Sequence, residues 1–199
     1  MPVPTIYYLR HGETDWNKAG RLQGTIDIPL NARGCEQAVH AGRVLGELIA
    51  RNGHRLETLS FVSSPLSRAR MTMELARAEL RLPPDEYGLD DRLREIGYGT
   101  WEGHTLAESE ALDPELYACR LVDKWAVGGP GGESYVDAQR RMQAWYDELR
   151  TDTVAVAHGG TARALMVALG FETPQSAVDL YIEQGVVYVF GPDGLKKYG

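Results

Sequence analysis

Hydrophobic and polar positions along the chain follow two alternating patterns. Short continuous apolar runs are typical of buried strands, whereas apolar residues three and four positions apart are typical of helices that pack on one face. Both patterns recur from one end of the sequence to the other. Strands are predicted at residues 6–9, 59–62, 153–157 and 186–190, with a short return strand at 195–198.

Helices are predicted between these strands. The first starts after Asn31, whose side chain suits an N-cap, and ends near residues 52–53. The next follows the second strand and stops before Pro83, and Ser134 caps a third. A fourth covers residues 161–169. Strands that alternate with helices favour an α/β fold, with three α/β/α layers, a mostly parallel central sheet and helices on both faces.

The middle of the chain is less regular. Residues 90–103 are punctuated by glycine and predict a short strand followed by a loop. Residues 105–124 predict a helix that is broken at residues 113–114, and the glycine-rich stretch 128–132 predicts a loop. Because no repeat, low-complexity tract or linker divides the sequence, residues 1–199 are expected to form a single domain.

Composition narrows the class of protein. Hydrophobic residues make up 43% and charged residues 25% of the sequence, as in soluble globular proteins. No apolar run approaches the ~18 residues of a membrane span and the amino end lacks a secretory signal, so a cytoplasmic protein without a membrane partner is expected. Cys35 and Cys119 have no spacing that suggests a disulfide framework or a zinc site. A net charge of -7 argues against nucleic acid as a partner, and no pattern indicates an oligomeric state.

Basic side chains follow three of the predicted strands. Arg10 and His11 come directly after the first strand, and Arg68 lies shortly after the second. His158 follows strand 153–157, ahead of two glycines that open a helix. Open α/β sheets bind ligands at the carboxyl ends of their strands, and the N–H groups at the start of a helix favour an anion. Each residue alone is weak evidence, but together they predict a sheet edge that binds phosphate or carboxylate.

The carboxyl group that would transfer protons at this edge is not singled out by pattern alone. Glu95, Glu102 and Glu108 all lie in the irregular middle of the chain and are equal candidates. His104, in the same region, is either a surface residue or one that contacts the outer part of a ligand. The choice among these residues therefore depends on motifs rather than on periodicity.

The motifs as a set resemble the histidine phosphatase superfamily, in its phosphoglycerate mutase-like branch. The resemblance covers about residues 5 to 165 and is distributed along the chain, which makes it specific. The matching segments are residues 10–14 with Trp16 and Asn17, 21–24, 29–30, 34 with 37–38, 63–66 with Arg68, Ala69 and Thr72, Leu93 with Glu95, 99 with 101–103, 132–134 and 158–160.

The resemblance implies phosphoryl transfer in two steps, with no metal and no cofactor. His11 is implied to be the nucleophile, with Arg10, Arg68 and His158 as the other catalytic groups around the phosphate. Glu95 is implied to protonate the leaving group and then to deprotonate water. A helical insert at about 105–129 is expected to lie over the active site. The positions implied to bind phosphate or substrate are Arg10, Asn17, Gln23, Gly24, Arg68, His158 and Gly159.

Two enzyme activities share this chemistry, and the insert favours one of them. Mutases of the family generally carry a longer insert after the acid-bearing segment, and here residues 105–129 hold more acidic than basic side chains. We therefore expect a phosphatase whose partner is a small-molecule phosphate ester. The alternative is a phosphoglycerate mutase, and a third, disfavoured hypothesis is a phosphate-binding protein without turnover.

Overall fold

A six-stranded sheet forms the centre of the computed structural model, which describes residues 4–199. The strands are β1 Ile6–Arg10, β2 Ser60–Ser63, β3 Gly88–Leu89, β4 Thr153–Ala157, β5 Val187–Gly191 and β6 Gly194–Tyr198. Their order across the sheet is β3-β2-β4-β1-β5-β6. The first four run parallel, and β5 and β6 continue the sheet in antiparallel fashion. The parallel part therefore brings the carboxyl ends of β1, β2 and β4 to one edge.

Helices connect the strands largely as the spacing predicts. Asn31 caps the first long helix by accepting from Gly34 N at 2.9 Å, and Ser134 caps another by accepting from Asp137 N at 3.2 Å. Both predicted N-caps are thus confirmed. No helix within residues 4–199 is both long and apolar enough to cross a membrane. The helices are α1 Asp15–Lys18, α2 Ala32–Arg51, α3 Ser67–Glu79, α4 Leu106–Leu112, α5 Pro114–Val122, α6 Tyr135–Asp147, α7 Gly159–Ala168 and α8 Pro174–Ala177.

The core is divided by the sheet into two apolar clusters. Along β1, Ile6 and Tyr8 point to the cluster that includes α6 and α7, whereas Tyr7 and Leu9 point to the cluster that includes α2 and α3. All four side chains are fully buried, because a parallel strand covered on both faces has no solvent side. The continuous apolar run therefore leads to the predicted three-layer arrangement.

The predicted strand within residues 90–103 is wrong. The nearest strand, β3, ends before this segment, which instead forms 3-10 turns at Asp91–Leu93 and Gly99–Trp101. Gly99 has a φ of +58°, and a Cβ there would lie 1.9 Å from Pro130 O, so the chain turns tightly against the loop at 128–132. The insert is helical and is interrupted at residues 113–114, as its sequence predicts.

Candidate functional site

His11 lies where β1 ends, and its main-chain N–H donates to Ala157 O at 2.9 Å, which joins the loop to the end of β4. The side chain is 2% exposed, and its Nδ1 is 2.7 Å from Gly12 O. A carbonyl oxygen only accepts, so Nδ1 carries the proton and Nε2 keeps its lone pair. Burial lowers the pKa of His11 well below its ordinary value, and the charges of Arg10 and Arg68 lower it further. The imidazole is therefore neutral and nucleophilic at Nε2.

Close backbone packing holds the loop that follows His11. A Cβ on Gly12 would lie 2.1 Å from Gly34 O, and one on Gly34 would lie 2.1 Å from Glu13 O. Gly12 N also donates to Thr72 Oγ1 at 3.1 Å. Two glycines in contact thus let the loop lie directly on the start of α2.

Arg68 and Arg10 are both held by carbonyl groups rather than by carboxylates. Arg68 is fully buried and donates from Nη1 to Ile26 O and from Nη2 to Gly24 O, each at 2.8 Å. Arg10 donates from Nη1 to Ile182 O at 2.6 Å. In both, the buried Nε–H has no partner. Burial lowers the pKa of each guanidinium, as expected for a cation without a counter-ion in the protein.

His158 follows β4 and faces His11, with the two ring centroids 5.1 Å apart. Its Nε2 is 2.8 Å from Ser64 Oγ, while its Nδ1 is buried and has no partner. Burial, followed by the charge of Arg68, lowers the pKa of His158 well below its ordinary value. When the Ser64 hydroxyl donates to Nε2, the His158 proton lies on Nδ1, the nitrogen without a partner. Ser64 therefore sets which ring nitrogen of His158 can donate to a ligand.

The main chain of His158 is fixed by a tyrosine of the central strand. Tyr8 Oη donates to His158 O at 2.7 Å, and His158 N donates back to the same hydroxyl at 3.1 Å. Thr161 Oγ1 lies 2.8 Å from Tyr8 Oη and completes the group. Burial raises the pKa of Tyr8, so its hydroxyl keeps the proton that it donates.

Glu95 is placed against the first turn of α7. Its two carboxylate oxygens accept from Gly160 N at 3.1 and 3.2 Å, and Oε1 also accepts from Ile96 N at 2.9 Å. Glu102 instead accepts from Thr25 N and Tyr98 N, where it holds a loop. Glu108 caps α4 and pairs with Arg21. Of the three acidic candidates, Glu95 is therefore the one in contact with the turn that follows His158.

The remaining predicted binding positions contribute in different ways. Asn17 Oδ1 accepts from Thr14 N at 3.2 Å and from Gln184 Nε2 at 3.1 Å. The Asn17 NH2 group therefore points away from these two donors. Gln23 is buried and its Oε1 has no partner. Turning this amide by 180° would present NH2 at the same place, where it could donate to a ligand.

The two glycines predicted to bind are placed beside the arginines. Gly24 has a φ of +53° and its carbonyl accepts from Arg68, so it positions the guanidinium. Gly159 is the first residue of α7, and a Cβ there would lie 3.4 Å from Arg10 Nε. The absence of a side chain at Gly159 thus leaves room in front of the Arg10 N–H.

Periodicity did not identify Ser64, Tyr8 or Gly160. A hydroxyl at the end of a predicted strand was the available signal for Ser64, and a tyrosine inside an otherwise aliphatic run was the signal for Tyr8. Gly160 lies in segment 158–160 of the family resemblance, which implies no separate role for it. His104 is half-buried rather than a surface residue, and its Nδ1 is buried without a partner.

Three residues grouped around His11 carry unpartnered buried nitrogens. Within residues 4–199, six buried side-chain N or O atoms have no hydrogen-bond partner, and three of these are Arg10 Nε, Arg68 Nε and His158 Nδ1. Buried polar groups are normally satisfied, so three unused nitrogens on neighbouring residues indicate a missing acceptor. Two cations without carboxylate partners require that acceptor to be an anion. In the same part of the chain, no three His, Cys, Asp or Glu side chains are grouped to hold a metal ion.

Known proteins resemble this chain in sequence. The model for the histidine phosphatase superfamily (branch 1) matches residues 6–196. Glucosyl-3-phosphoglycerate phosphatase of Mycolicibacterium vanbaalenii is 36% identical over 182 residues, which cover 85% of this chain and 75% of that protein. Some other mycobacterial relatives are 38% identical over 148 residues, and there the chain spans only 38% of the relative's length.

Solved structures resemble it in fold. The structure of mycobacterial glucosyl-3-phosphoglycerate phosphatase has a TM-score of 0.76 and 32% identity, over 94% of this chain and 89% of that one. A phosphoglycerate mutase from Thermus thermophilus has a TM-score of 0.73 and 34% identity, over 98% of both chains. These likenesses confirm the predicted three-layer α/β/α fold.

Proposed function

The chain belongs to the histidine phosphatase superfamily, and we propose that it hydrolyses a small phosphate monoester through a phosphoryl group carried on His11. The relatives confirm the predicted family and the predicted class of enzyme, a phosphatase of small phosphate esters. The residue roles are proposals. The observation that carries them is the set of unused buried nitrogens of Arg10, Arg68 and His158 around the free Nε2 of His11.

In the first step, His11 Nε2 attacks phosphorus and the bond from phosphorus to the leaving oxygen breaks. Arg10, Arg68 and His158 donate to the equatorial oxygens, where charge must be offset as the transition state forms. Glu95, when protonated, gives its proton to the leaving alkoxide. The backbone carbonyl of Gly12 holds the Nδ1 proton throughout, so His11 gains the phosphoryl group without losing its orientation.

In the second step, Glu95 is a carboxylate and takes a proton from water. The water oxygen bonds to phosphorus, the phosphorus–nitrogen bond breaks, and inorganic phosphate leaves. His11 is again neutral and Glu95 is again protonated, so one carboxyl group serves both half-reactions. The hydrogen bonds that Glu95 accepts from Gly160 N keep the carboxyl group beside the phosphorus in both steps.

A cavity next to Glu95 supports water, rather than a second acid, as the acceptor. The cavity has a volume of about 530 Å³, and Glu95 lines it together with Asp91, Glu102 and Glu133. Arg94 and Arg141 also line it, but each pairs with a neighbouring carboxylate, and more carboxylates than cations face the space. An anionic acceptor would be repelled there, whereas water would not. This supports hydrolysis over the mutase alternative.

The proposal is tested with a chromogenic phosphate ester in the presence and absence of a chelator. We expect full activity with the chelator and a loss of at least about 10³-fold in kcat for His11→Ala, because nucleophile removal abolishes the covalent route. Activity that requires added metal, or that survives His11→Ala, contradicts the proposal. A coupled assay in which phosphoryl exchange between phosphoglycerates outruns phosphate release would assign the chain as a mutase instead.

Three wider expectations belong to the same proposal. We propose a cytoplasmic location, a small-molecule phosphate ester rather than nucleic acid as partner, and a single domain whose 105–129 insert lies over the active site. The net charge of -7 supports the exclusion of nucleic acid, and the two helices of the insert agree with its expected helical character. Cell fractionation tests the location, and a nucleic-acid binding assay at low salt tests the partner, because such binding is strongest there.

A further inference from the structure

The segment that carries Glu95 is held by contacts other than those of a helix or a strand. Residues 94–98 lie between the two 3-10 turns, so no regular ladder of main-chain hydrogen bonds sets the position of Glu95. Leu93 and Ile96, on either side of it, are buried in the core cluster that includes α6. Their packing limits how deep the segment lies, but its main-chain carbonyl groups still need partners.

Arg141 of α6 reaches both ends of this segment through an ion pair with Glu133. Its Nε and Nη2 donate to the two carboxylate oxygens of Glu133 at 2.6 and 2.7 Å, which is a bidentate pair. Its Nη1 donates to Arg92 O, and the main-chain N–H of Glu133 donates to Gly97 O at 2.7 Å. Arg92 comes before Glu95 in the sequence and Gly97 comes after it. One ion pair therefore holds the chain on both sides of the proposed proton donor.

The glycine-rich loop before Glu133 fits closely on the same segment. A Cβ on Gly132 would lie 2.4 Å from Gly97 O, and one on Gly129 would lie 2.3 Å from Tyr98 O. A side chain at either position would push the loop away from the segment, because glycine is the residue that lets two backbones approach this closely. The loop thus brings Glu133 N within hydrogen-bond distance of Gly97 O.

The ion pair is better shielded from water than the pair beside it on α6. The side chains of Arg141 and Glu133 are 19% and 24% exposed. The adjacent cation, Arg140, pairs with Asp137 through Nη1 at 3.3 Å, and its side chain is 76% exposed. Exposed pairs of this kind contribute little because water and salt screen them, whereas a bidentate pair with little exposure is held in one geometry. Arg140 is therefore a control of the same residue type for Arg141.

We propose that Arg141 and Glu133 are positioning residues that hold Glu95 in place for proton transfer, a role that rests on the proposed phosphatase function. Each guanidinium nitrogen of Arg141 already donates to the protein. In contrast, the Nε–H groups of Arg10 and Arg68 have no acceptor in the described part of the chain. Arg141 therefore acts on the reaction through the segment that carries Glu95 rather than by binding the phosphate.

A comparison of two esters in Arg141→Met tests this role. Loss of the ion pair lets the Glu95 segment move, and a 1 Å misplacement costs about 10²-fold, so kcat for an alkyl phosphate should fall by about 10- to 100-fold. A nitrophenyl phosphate, whose leaving group departs without a proton, should slow by less than about threefold. KM should change by less than about threefold for both esters, because the phosphate ligands are unchanged. Arg140→Met should leave both rates within about twofold of wild type.

A double variant separates positioning from a general loss of the fold. Arg141→Met leaves the Glu133 carboxylate without its partner, whereas Arg141→Met combined with Glu133→Gln leaves no unpaired charge. Because both substitutions remove the same ion pair, the double variant should slow the alkyl ester by no more than about threefold beyond the larger single loss. It also allows the two esters to be compared if Arg141→Met alone does not fold. Losses that multiply, or that are equal for the two esters, overturn the inference.

The Gly160 N–H, which donates to Glu95, reports the position of the carboxylate without turnover. Glu95→Ala gives the NMR signal of this N–H without its acceptor. Arg141→Met should shift the wild-type signal towards that value, and Arg140→Met should not. If the signal shifts in this way but the wild-type protein hydrolyses no ester, the phosphatase proposal fails and the positioning role stands. If esters are hydrolysed and Arg141→Met changes neither the signal nor the ratio of the two rates, the positioning role fails and the phosphatase stands.

Discussion

Replacing Gly160 by alanine should move the proton donor without touching the nucleophile. A Cβ at Gly160 would lie 2.4 Å from Glu95 Oε1 and 2.8 Å from Ile96 Cδ1. An ordinary contact of about 3.4 Å requires the carboxylate to withdraw by roughly 1 Å, since heavy atoms cannot approach closer without strain. That movement also stretches the hydrogen bonds from Gly160 N, now 3.1 and 3.2 Å long, beyond useful length.

The size of the effect follows from what Glu95 is proposed to do. General acid–base catalysis contributes about 10²- to 10⁴-fold, and a 1 Å misplacement costs about 10²-fold, so we expect kcat/KM for alkyl phosphates to fall by about 10²-fold. The fold should survive. Overpacking against Ile96 costs about 1–3 kcal/mol, and the gain of about 1 kcal/mol from glycine to alanine in a helix offsets part of that cost.

The assay compares an alkyl phosphate with a nitrophenyl phosphate, whose leaving group departs without a proton. Gly160→Ala should slow the alkyl ester far more than the nitrophenyl ester. The matched control is Gly159→Ala, in the same helical turn, whose Cβ would lie at an ordinary 3.4 Å from Arg10 Nε. The control should affect both esters alike, because Arg10 holds the phosphate in either case. Equal losses for Gly160→Ala on the two esters would refute a proton-transfer role for Glu95.

Three further predictions concern the groups around the phosphate. Ser64→Ala should let the His158 proton move from Nδ1 to Nε2 and lower kcat/KM about tenfold. Ring 15N spectra show which nitrogen of His158 carries the proton. A proton on Nε2 in the wild-type protein would contradict the assignment. The pKa values of His11 and His158 are lowered on folding, so the unfolded chain binds more protons below pH 6.5. The free energy of unfolding should therefore fall with decreasing pH, by up to about 1.4 kcal/mol per pH unit for each histidine. Urea unfolding at several pH values measures this free energy, and its change per pH unit should be smaller for His11→Ala than for wild type. Arg68→Lys keeps the positive charge but loses the planar guanidinium with its several N–H donors, so the inhibition constant for inorganic phosphate should rise about tenfold or more. An unchanged inhibition constant would show that phosphate binds elsewhere.

The sequence predicted which residues end strands, but not which strands are neighbours. Arg10 pairs with Ala157 across β1 and β4, and this pairing brings His11 and His158 to one place. The apolar runs predict that both strands exist but do not indicate their order across the sheet. The positions of the two histidines at strand ends predicted a shared sheet edge, whereas the distance between them depends on β1 and β4 being neighbours.

Contacts between distant parts of the chain account for what sequence reasoning missed. Ser64 and His158 are 94 positions apart, and no local pattern marks their hydrogen bond. Periodicity does not distinguish Glu95 from Glu102; the resemblance implied the proton-transfer role for Glu95, and in the fold the two carboxylates have different partners. β3 was missed because it has two residues, too few to show a period.

Other features depend on the direction of a single side chain. A neutral His11 needs an acceptor for the proton on its second ring nitrogen, and in the fold that acceptor is the carbonyl of the next residue, Gly12. That bond depends on a rotamer, which hydrophobic patterns do not encode.

The central claim is that His11 carries the phosphoryl group, and rapid quenching of a reaction with a 32P-labelled ester tests it most directly. The account predicts a phosphoenzyme that is labile in acid and stable in alkali, with the label in the peptide that contains His11, and no label in His11→Ala. Label on another residue, or steady turnover in which hydrolysis proceeds with no phosphoenzyme at any quench time, would contradict it.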